Sequence, residues 1–181
     1  MKTINASIEG TAPLLQHKMS VEEEAKIESK TRKQAGARNE ENPQDYLYLI
    51  NGKICQPAEH IRSAIVKRLS SYKISGKGKK TYKELGQGAI EVSPEYIEHE
   101  IQDWKVDSRT VVIPATRGRA VRKRPRLDKW KLNFQIQILN DEMPAEIIKL
   151  ALDDAGREGG LGDYRPRFGR FIVTSWKETN T

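Results

Sequence analysis

The sequence is poor in the residues that form covalent cross-links and metal sites. It contains one cysteine, Cys55, which excludes an internal disulfide and is typical of proteins in a reducing compartment. The three histidines are scattered and form no common zinc-binding spacing with Cys55. We therefore expect no disulfide framework, no metal and no cofactor.

Long apolar runs are also missing. No stretch approaches the roughly 20 apolar residues that a membrane-spanning helix needs. The first ten residues, MKTINASIEG, lack the basic and then apolar pattern of a secretory signal. These features predict a cytoplasmic chain without a membrane partner.

The composition is sufficient for one compact core. The chain has 181 residues, of which 36% are hydrophobic and 31% are charged. A domain of about 150 residues buries roughly 70% of the surface of its unfolded chain. Aromatic residues make up 7% of the sequence, which argues against a wholly disordered chain. We expect a single domain over residues 1–181.

The positive charge is confined to one strip. Residues 116–131 contain eight basic residues and one acidic residue, Asp128, and their net charge of +7 equals that of the whole chain. The eight basic residues are Arg117, Arg119, Arg122, Lys123, Arg124, Arg126, Lys129 and Lys131. Such a strip is typical of a partner with a phosphate backbone, and the arginine fork suits phosphates. The alternatives are a nuclear-localisation-like tract, a patch for anionic membranes and a solvated arm.

The first half of the chain carries three local signals. Residues 3–9 alternate between apolar and polar and predict a half-buried strand. Segment 19–45 is mostly polar and is interpreted as a helical or mobile insertion. Asn51-Gly52 lies between the apolar segments 46–50 and 53–55 and predicts a β-hairpin.

The middle of the chain is less regular. An apolar stripe predicts a helix over 58–72, which Pro57 opens. Residues 82–104 are ambiguous, although Ser93-Pro94 is a candidate cap for a short helix through Ile101. Residues 106–113 read as a strand, and we expect 114–129 to form a basic β-arm.

The clearest element is the alternating segment 130–138, which predicts a strand with one apolar face and one polar face. A second amphipathic helix is predicted over 144–155 and a last strand over 168–176. The order strand, helix, strand, strand, helix, strand is that of a ferredoxin-like α+β fold. We expect 46–72 and 106–176 to share one antiparallel sheet, with two helices on one face and the other face open.

A glycine-rich loop, Gly159-Gly-Leu-Gly-Asp-Tyr-Arg-Pro-Arg-Phe-Gly169, follows the second predicted helix and precedes the last strand. This position is the reverse of a dinucleotide-binding fingerprint, which opens a helix. A helix C-cap explains one or two of the glycines. The remaining glycines would let backbone N–H groups approach a phosphate, and Arg165 and Arg167 would complement its charge.

The pattern Gly160-x-Gly162-x-x-Arg165-x-x-x-Gly169 between a helix and a final strand resembles the glycine-rich loop of the RAMP superfamily. Gly10-Thr-Ala-Pro-Leu-Leu15 after the first strand is also similar to that superfamily. Combined with Arg-x-Arg-Pro-Arg126, the C-terminal GLGDYRPRFG loop looks closer still to small phage and prophage proteins. The resemblance implies a ferredoxin-like fold and RNA binding, as in CRISPR effector complexes, and a host-cell cytoplasmic location if a phage encodes the chain.

These patterns predict a non-catalytic protein that binds single-stranded RNA or DNA and assembles along the strand as a homo-oligomer. The predicted contacts are the eight basic residues of the strip together with Gly160, Gly162, Tyr164, Arg165, Arg167 and Gly169. Trp130, Tyr164 and Phe168 are candidates for stacking on bases.

Two alternatives remain open. The first is a RAMP-like, metal-independent endoribonuclease in which His17, just beyond the first strand, activates a ribose hydroxyl. His60 and His99 are interpreted as structural or solvated. The second is a phage assembly protein, or an inhibitor of a host defence, whose basic arm binds an acidic partner.

Overall fold

A computed structural model describes residues 2–19, 42–112 and 117–180. These residues form an α+β structure with antiparallel sheets and three α-helices, as the sequence predicts for the fold class. The helices are α1 (Ala58–Arg68), α2 (Tyr82–Ala89) and α3 (Ala145–Asp154). The strands are β1 (Lys2–Gly10), β2 (Leu14–Leu15), β3 (Leu49–Ile50), β4 (Lys53–Pro57), β5 (Ile90–Ser93), β6 (Tyr96–Glu98), β7 (Lys105–Val112), β8 (Arg119–Leu127), β9 (Lys131–Ile138) and β10 (Phe171–Asn180).

The main sheet has the strand order β10-β1-β9-β5, and all its neighbouring strands are antiparallel. Its register places Ile4 opposite Ile136 and Asn5 opposite Gln135. Apolar residues therefore share one face of the sheet and polar residues share the other. Gln135 Nε2 donates to Asn5 Oδ1 at 3.0 Å, so cross-strand hydrogen bonds connect the polar side chains.

Helices α1 and α3 pack on the apolar face of the main sheet. They contact each other and contribute Ile61 and Ile148 to the same core that contains Ile4 and Phe134. Both helices have buried residues at helical spacing, as the sequence predicts. A 3₁₀ turn, Leu69–Ser71, extends α1 to nearly the predicted end.

The predicted hairpin is confirmed. Asn51 and Gly52 have φ angles of 51° and 77°, the left-handed values that a two-residue type I′ turn requires. Strand β3 pairs with β4, and β4 pairs with β6, in a three-stranded sheet. A second three-stranded sheet has the order β2-β8-β7.

The predicted composition of the main sheet is wrong in two places. Neither the hairpin in 46–72 nor the strand predicted over 106–113 belongs to it, because β4 pairs with β6 and β7 pairs with β8. The fourth strand of the main sheet is β5, which lies in the segment that the sequence left ambiguous. A strand of four residues carries too few apolar positions to show a period.

Two further elements differ from the prediction. The short helix expected from Ser93-Pro94 through Ile101 is absent, and Tyr96–Glu98 forms β6 instead. The last strand begins at Phe171 rather than Phe168, because the preceding residues belong to the glycine-rich loop.

Parts of two predicted segments fall outside the described residues. They are 20–41 of the polar insertion 19–45 and 114–116 of the basic arm 114–129. In the described ranges no helix is both long and apolar enough to cross a membrane.

Candidate nucleic-acid interface

Most of the basic strip lies in β8, which pairs with β7 in a two-stranded ribbon that we define as β7 and β8. The register runs from Lys105 opposite Arg126 to Val112 opposite Arg119. Because directly opposed residues of an antiparallel pair share a face, the basic residues divide between two faces. The outer face carries Arg119 and Lys123, whereas the inner face carries Arg122, Arg124 and Arg126.

The inner face of the ribbon packs on the protein. Arg124 is 6% exposed, and its Nε lies 3.2 Å from Asp163 Oδ2. Its guanidinium carbon is 4.6 Å from the centroid of the Tyr46 ring. Since a buried guanidinium needs a partner, these contacts account for the burial of Arg124, and they compete with the phosphate contact that the sequence predicts there.

A carboxylate at the base of the ribbon binds two further arginines. Asp107 is buried, and its Oδ2 lies 2.9 Å from Arg109 Nη2 and 3.3 Å from Arg126 Nη1. Hydrogen bonds from Arg109, and then from Arg126, hold the pKa of Asp107 below its usual value. Arg126 also binds Asp128 at 2.6 Å, so its charge is largely compensated within the ribbon.

The remaining basic residues of the strip face solvent to different degrees. Arg117, Arg119, Lys123 and Lys129 are exposed, whereas Arg122 and Lys131 are half-buried. Lys131 Nζ lies 3.0 Å from Glu100 Oε2. The charge available to a partner is therefore concentrated at the end of the ribbon and on its outer face.

We call residues 159–169 the glycine loop, and its backbone is closely packed. Gly162 and Gly169 have φ angles of 75° and 72°. A Cβ atom at Gly162 would lie 2.2 Å from the Leu15 carbonyl oxygen, and one at Gly169 would lie 1.8 Å from the Leu161 carbonyl oxygen. These glycines are required for close backbone approach within the protein.

The N–H groups of the glycine loop are largely used by its own fold. Asp163 N donates to Leu15 O at 2.8 Å, and Gly169 N donates to Pro13 O at 2.8 Å. Gly160 N likewise donates to Ala155 O at 2.7 Å. The expectation that Gly160 and Gly169 offer N–H groups to a phosphate is therefore corrected, because carbonyl oxygens already occupy those donors.

The side chains of the loop supply its exposed charge. Arg165, Arg167 and Arg170 are exposed, and Tyr164 is half-buried. Trp130 and Phe168, the other stacking candidates, are 1% and 6% exposed and belong to the interior. Tyr164 is thus the only one of the three predicted stacking residues that is accessible to a base.

A groove of about 520 Å³ separates α1 from the glycine loop. Its lining includes Lys67 and Arg68 of α1 and Tyr164 and Arg165 of the loop. Arg68 Nη1 lies 2.9 Å from Glu158 Oε2, which fixes one of the cations. Lys67 is not among the predicted site residues, although a basic pair in the last turn of a helix is a recognisable signal.

His17 lies at the junction of the ribbon and the glycine loop. Its Nδ1 is 3.6 Å from Asp163 Oδ2, and its ring meets the Tyr46 ring edge-on with centroids 5.1 Å apart. The side chain is 37% exposed. Asp163 therefore contacts both His17 and Arg124, an arrangement that sequence spacing could not predict because the three residues come from distant segments.

Comparison with known proteins gives a distant structural likeness and no family. No protein-family model matches the sequence, and a search of curated proteins finds no match. A chain in the cryo-EM structure of the Type III-B Cmr-beta bound to cognate target RNA superposes with a TM-score of 0.57 and 12% sequence identity. The superposition covers 99% of this chain but 61% of that chain. At this level of identity the likeness concerns the fold alone.

Proposed function

We propose that the protein binds single-stranded nucleic acid without cleaving it, along a surface formed by the ribbon and the glycine loop. The observation that carries the proposal is the contact between Arg109 of β7 and Phe168 of the loop, whose guanidinium carbon and ring centroid are 4.3 Å apart. This contact joins the ribbon to the glycine loop, two basic segments that are separate in sequence. Their exposed cations suit a phosphate backbone.

We also propose a ferredoxin-like arrangement for the main sheet. Numbered by chain order within the sheet, its strands follow the order fourth, first, third, second. Helix α1 lies between the first and second strands in sequence, and α3 lies between the third and fourth. This connectivity supports the RAMP-like interpretation. The likeness to small phage and prophage proteins stays a prediction, since it rests on sequence motifs.

RNA is the favoured ligand in this proposal. The structural neighbour is described as bound to cognate target RNA, and the glycine-rich pattern resembles that of RNA-binding proteins. Single-stranded DNA remains the competitor, because the cations identified here would contact phosphates, which the two nucleic acids share.

Binding is tested by fluorescence anisotropy with a labelled 20-nucleotide oligo(U), an oligo(dT) of the same length and a 20-base-pair duplex. We expect measurable affinity for the single strands that falls as salt concentration rises. We also expect oligo(U) to bind more tightly than the duplex. Absence of binding at low salt, or a preference for the duplex, would contradict the proposal.

The alternative function is metal-independent cleavage of RNA. The observation in its favour is that a carboxylate, Asp163, lies 3.6 Å from the imidazole of His17 and can orient it. Incubation of the protein with labelled RNA hairpins and single strands distinguishes the two functions. We expect intact RNA; cleavage that His17→Ala abolishes would establish the endoribonuclease.

A further inference from the structure

A chain of amide side chains links the protein backbone to His60 in the first turn of α1. It begins at Gln16, which is 1% exposed. Gln16 Oε1 accepts from the backbone N–H of Tyr48 at 3.1 Å, and Gln16 Nε2 donates to the Cys55 carbonyl at 2.8 Å. Because a backbone N–H only donates and a carbonyl only accepts, these contacts fix the orientation of the Gln16 amide.

The fixed amide of Gln16 determines the next one. Gln16 Nε2 lies 3.2 Å from Gln56 Oε1, so Gln56 directs its oxygen to Gln16 and its Nε2 to the other side. There Gln56 Nε2 lies 2.6 Å from His60 Nδ1. His60 Nδ1 must therefore accept, and the proton of the neutral imidazole resides on Nε2.

The surroundings of His60 favour the neutral ring. Burial lowers the pKa of His60, and the positive charge of Arg165 lowers it further, while Glu59 opposes the shift. The Tyr48 ring meets the imidazole edge-on, with centroids 5.4 Å apart. Tyr48 and Gln56 thus hold both the plane and the tautomer of the ring.

The Nε2–H group of His60 is not used within the described part of the chain. The hydrogen bond found for its ring there is the one at Nδ1. Among the described side chains, the single nitrogen or oxygen atom that is both buried and unpartnered is His99 Nδ1, so His60 Nε2 reaches solvent. The result is a donor fixed in direction on α1, one helical turn before Ala64, which lines the groove together with Arg165.

We propose that His60 Nε2–H and the Arg165 guanidinium together bind one phosphodiester group of the nucleic acid, an inference that rests on the proposed function. A phosphate offers several acceptor oxygens and binds a cation and a neutral donor at once. Arg165 is exposed and lines the groove beside α1, the helix that carries His60. The sequence alone indicated no binding role for His60.

The test measures the affinity of variants for labelled 20-nucleotide oligo(U) and oligo(dT). We expect His60→Ala to weaken binding of both by about tenfold, the loss typical of a hydrogen bond to a charged group. His60→Gln retains a donor and should lose less. Thermal unfolding of each variant verifies that it is folded. If His60→Ala does not fold, the affinity of His60→Gln is the test instead.

A double-mutant cycle tests whether the two side chains share one phosphate. If they do, the loss in His60→Gln/Arg165→Gln is smaller than the product of the separate losses. If the loss of affinity in the double variant equals the product of the two separate losses, the two side chains act independently and the shared site is wrong. Nitrogen NMR of the wild-type protein gives a second measurement: oligo(U) should shift the His60 Nε2 resonance and leave His99 unchanged.

The outcomes separate this inference from the function on which it rests. If Arg165→Gln weakens binding while His60→Ala binds like the wild type, the His60 site is wrong and nucleic-acid binding stands. If the wild-type protein binds neither oligonucleotide, both are wrong.

Discussion

The guanidinium carbon of Arg109 lies 4.3 Å from the centroid of the Phe168 ring and 5.6 Å from that of Tyr164. The same guanidinium binds Asp107, which also binds Arg126. Asp107 therefore connects the two strands of the ribbon at its base, and Arg109 lies between this carboxylate and the aromatic rings of the glycine loop. Together with the contact between Arg124 and Asp163, Arg109 joins the ribbon and the loop into a single surface.

Replacement of Arg109 by Gln tests that connection. We expect the free energy of unfolding to fall by about 1 kcal/mol, since a cation–π contact is worth roughly 0.5–2 kcal/mol. Affinity for oligo(U) should fall several-fold, because the ribbon loses its fixed position relative to the loop. Urea unfolding and anisotropy measure the two effects, and Lys83→Gln, an exposed change on α2, is the control. Equal affinity in both variants would show that the connection is not needed for binding.

Gly162→Ala tests the packing of the glycine loop. The Cβ atom would meet the Leu15 carbonyl oxygen at 2.2 Å, and the φ of 75° is strained for alanine. We expect a loss of at least about 2 kcal/mol in the free energy of unfolding. Gly88→Ala is the matched control, because nothing lies within 4 Å of its Cβ position and it lies in α2.

The control should be neutral or stabilising by up to about 0.5–1 kcal/mol, the gain for Gly to Ala in a helix interior, because Gly88 is the last but one residue of α2. Chemical denaturation of both variants makes the comparison. Similar stabilities for the two variants would mean that the loop does not approach Leu15 as closely as described.

The burial of His99 predicts that the free energy of unfolding depends on pH. Burial lowers the pKa of His99 from 6.5 to about 4 in the folded protein. Above pH 6.5 neither state binds the proton, and the full stability is present. As the pH falls from 6.5 towards 4, His99 becomes protonated in the unfolded state but stays neutral in the folded state. The free energy of unfolding therefore falls by about 3 kcal/mol.

The His99→Met variant should lose this pH dependence. We expect its free energy of unfolding to change less than that of the wild type between pH 6.5 and 4. Urea unfolding at several pH values measures the difference between the two proteins. Parallel curves would show that His99 is protonated in the folded state at the same pH as in the unfolded chain.

Assembly along a strand is a further prediction, which rests on the RAMP-like pattern. Head-to-tail contacts between identical subunits give open assemblies. We expect light scattering to show several copies of the protein on a 60-nucleotide oligo(U) and proportionally fewer on a 20-nucleotide one. One copy on both lengths would contradict the prediction.

The sequence predicts the regular elements of this fold well where they are long. The alternation of 130–138 and the apolar stripes of the two long helices each span enough residues to show a period, and Asn51-Gly52 determines its turn by local conformation alone. Strand β5 has four residues, and its place at the edge of the main sheet depends on pairing with β9. That pairing is a long-range contact, which no local pattern encodes.

The candidate site was predictable in composition but not in geometry. The sequence locates the charge in 116–131 and the glycines in 159–169. It cannot tell that Arg124 is buried against Asp163 while Lys123 is exposed, because this depends on which face of the ribbon meets the loop. The role of Gly162 is likewise set by Leu15, a residue from the other end of the chain.

The most direct test of the account is the salt dependence of oligo(U) binding. For single strands, the slope of log affinity on log salt is about −0.7 for each phosphate contact. We compare the wild type with a ribbon variant, Arg117→Gln/Arg119→Gln/Lys123→Gln, whose three positions are exposed. The control variant, Lys79→Gln/Lys83→Gln/Lys177→Gln, removes the same charge from exposed positions elsewhere.

The account predicts a wild-type slope of about −3 and a ribbon-variant slope that is less steep by about 2. The control variant should keep nearly the wild-type slope and affinity. Equal changes in the two variants, or no change in the ribbon variant, would contradict the claim that the ribbon contacts the phosphate backbone.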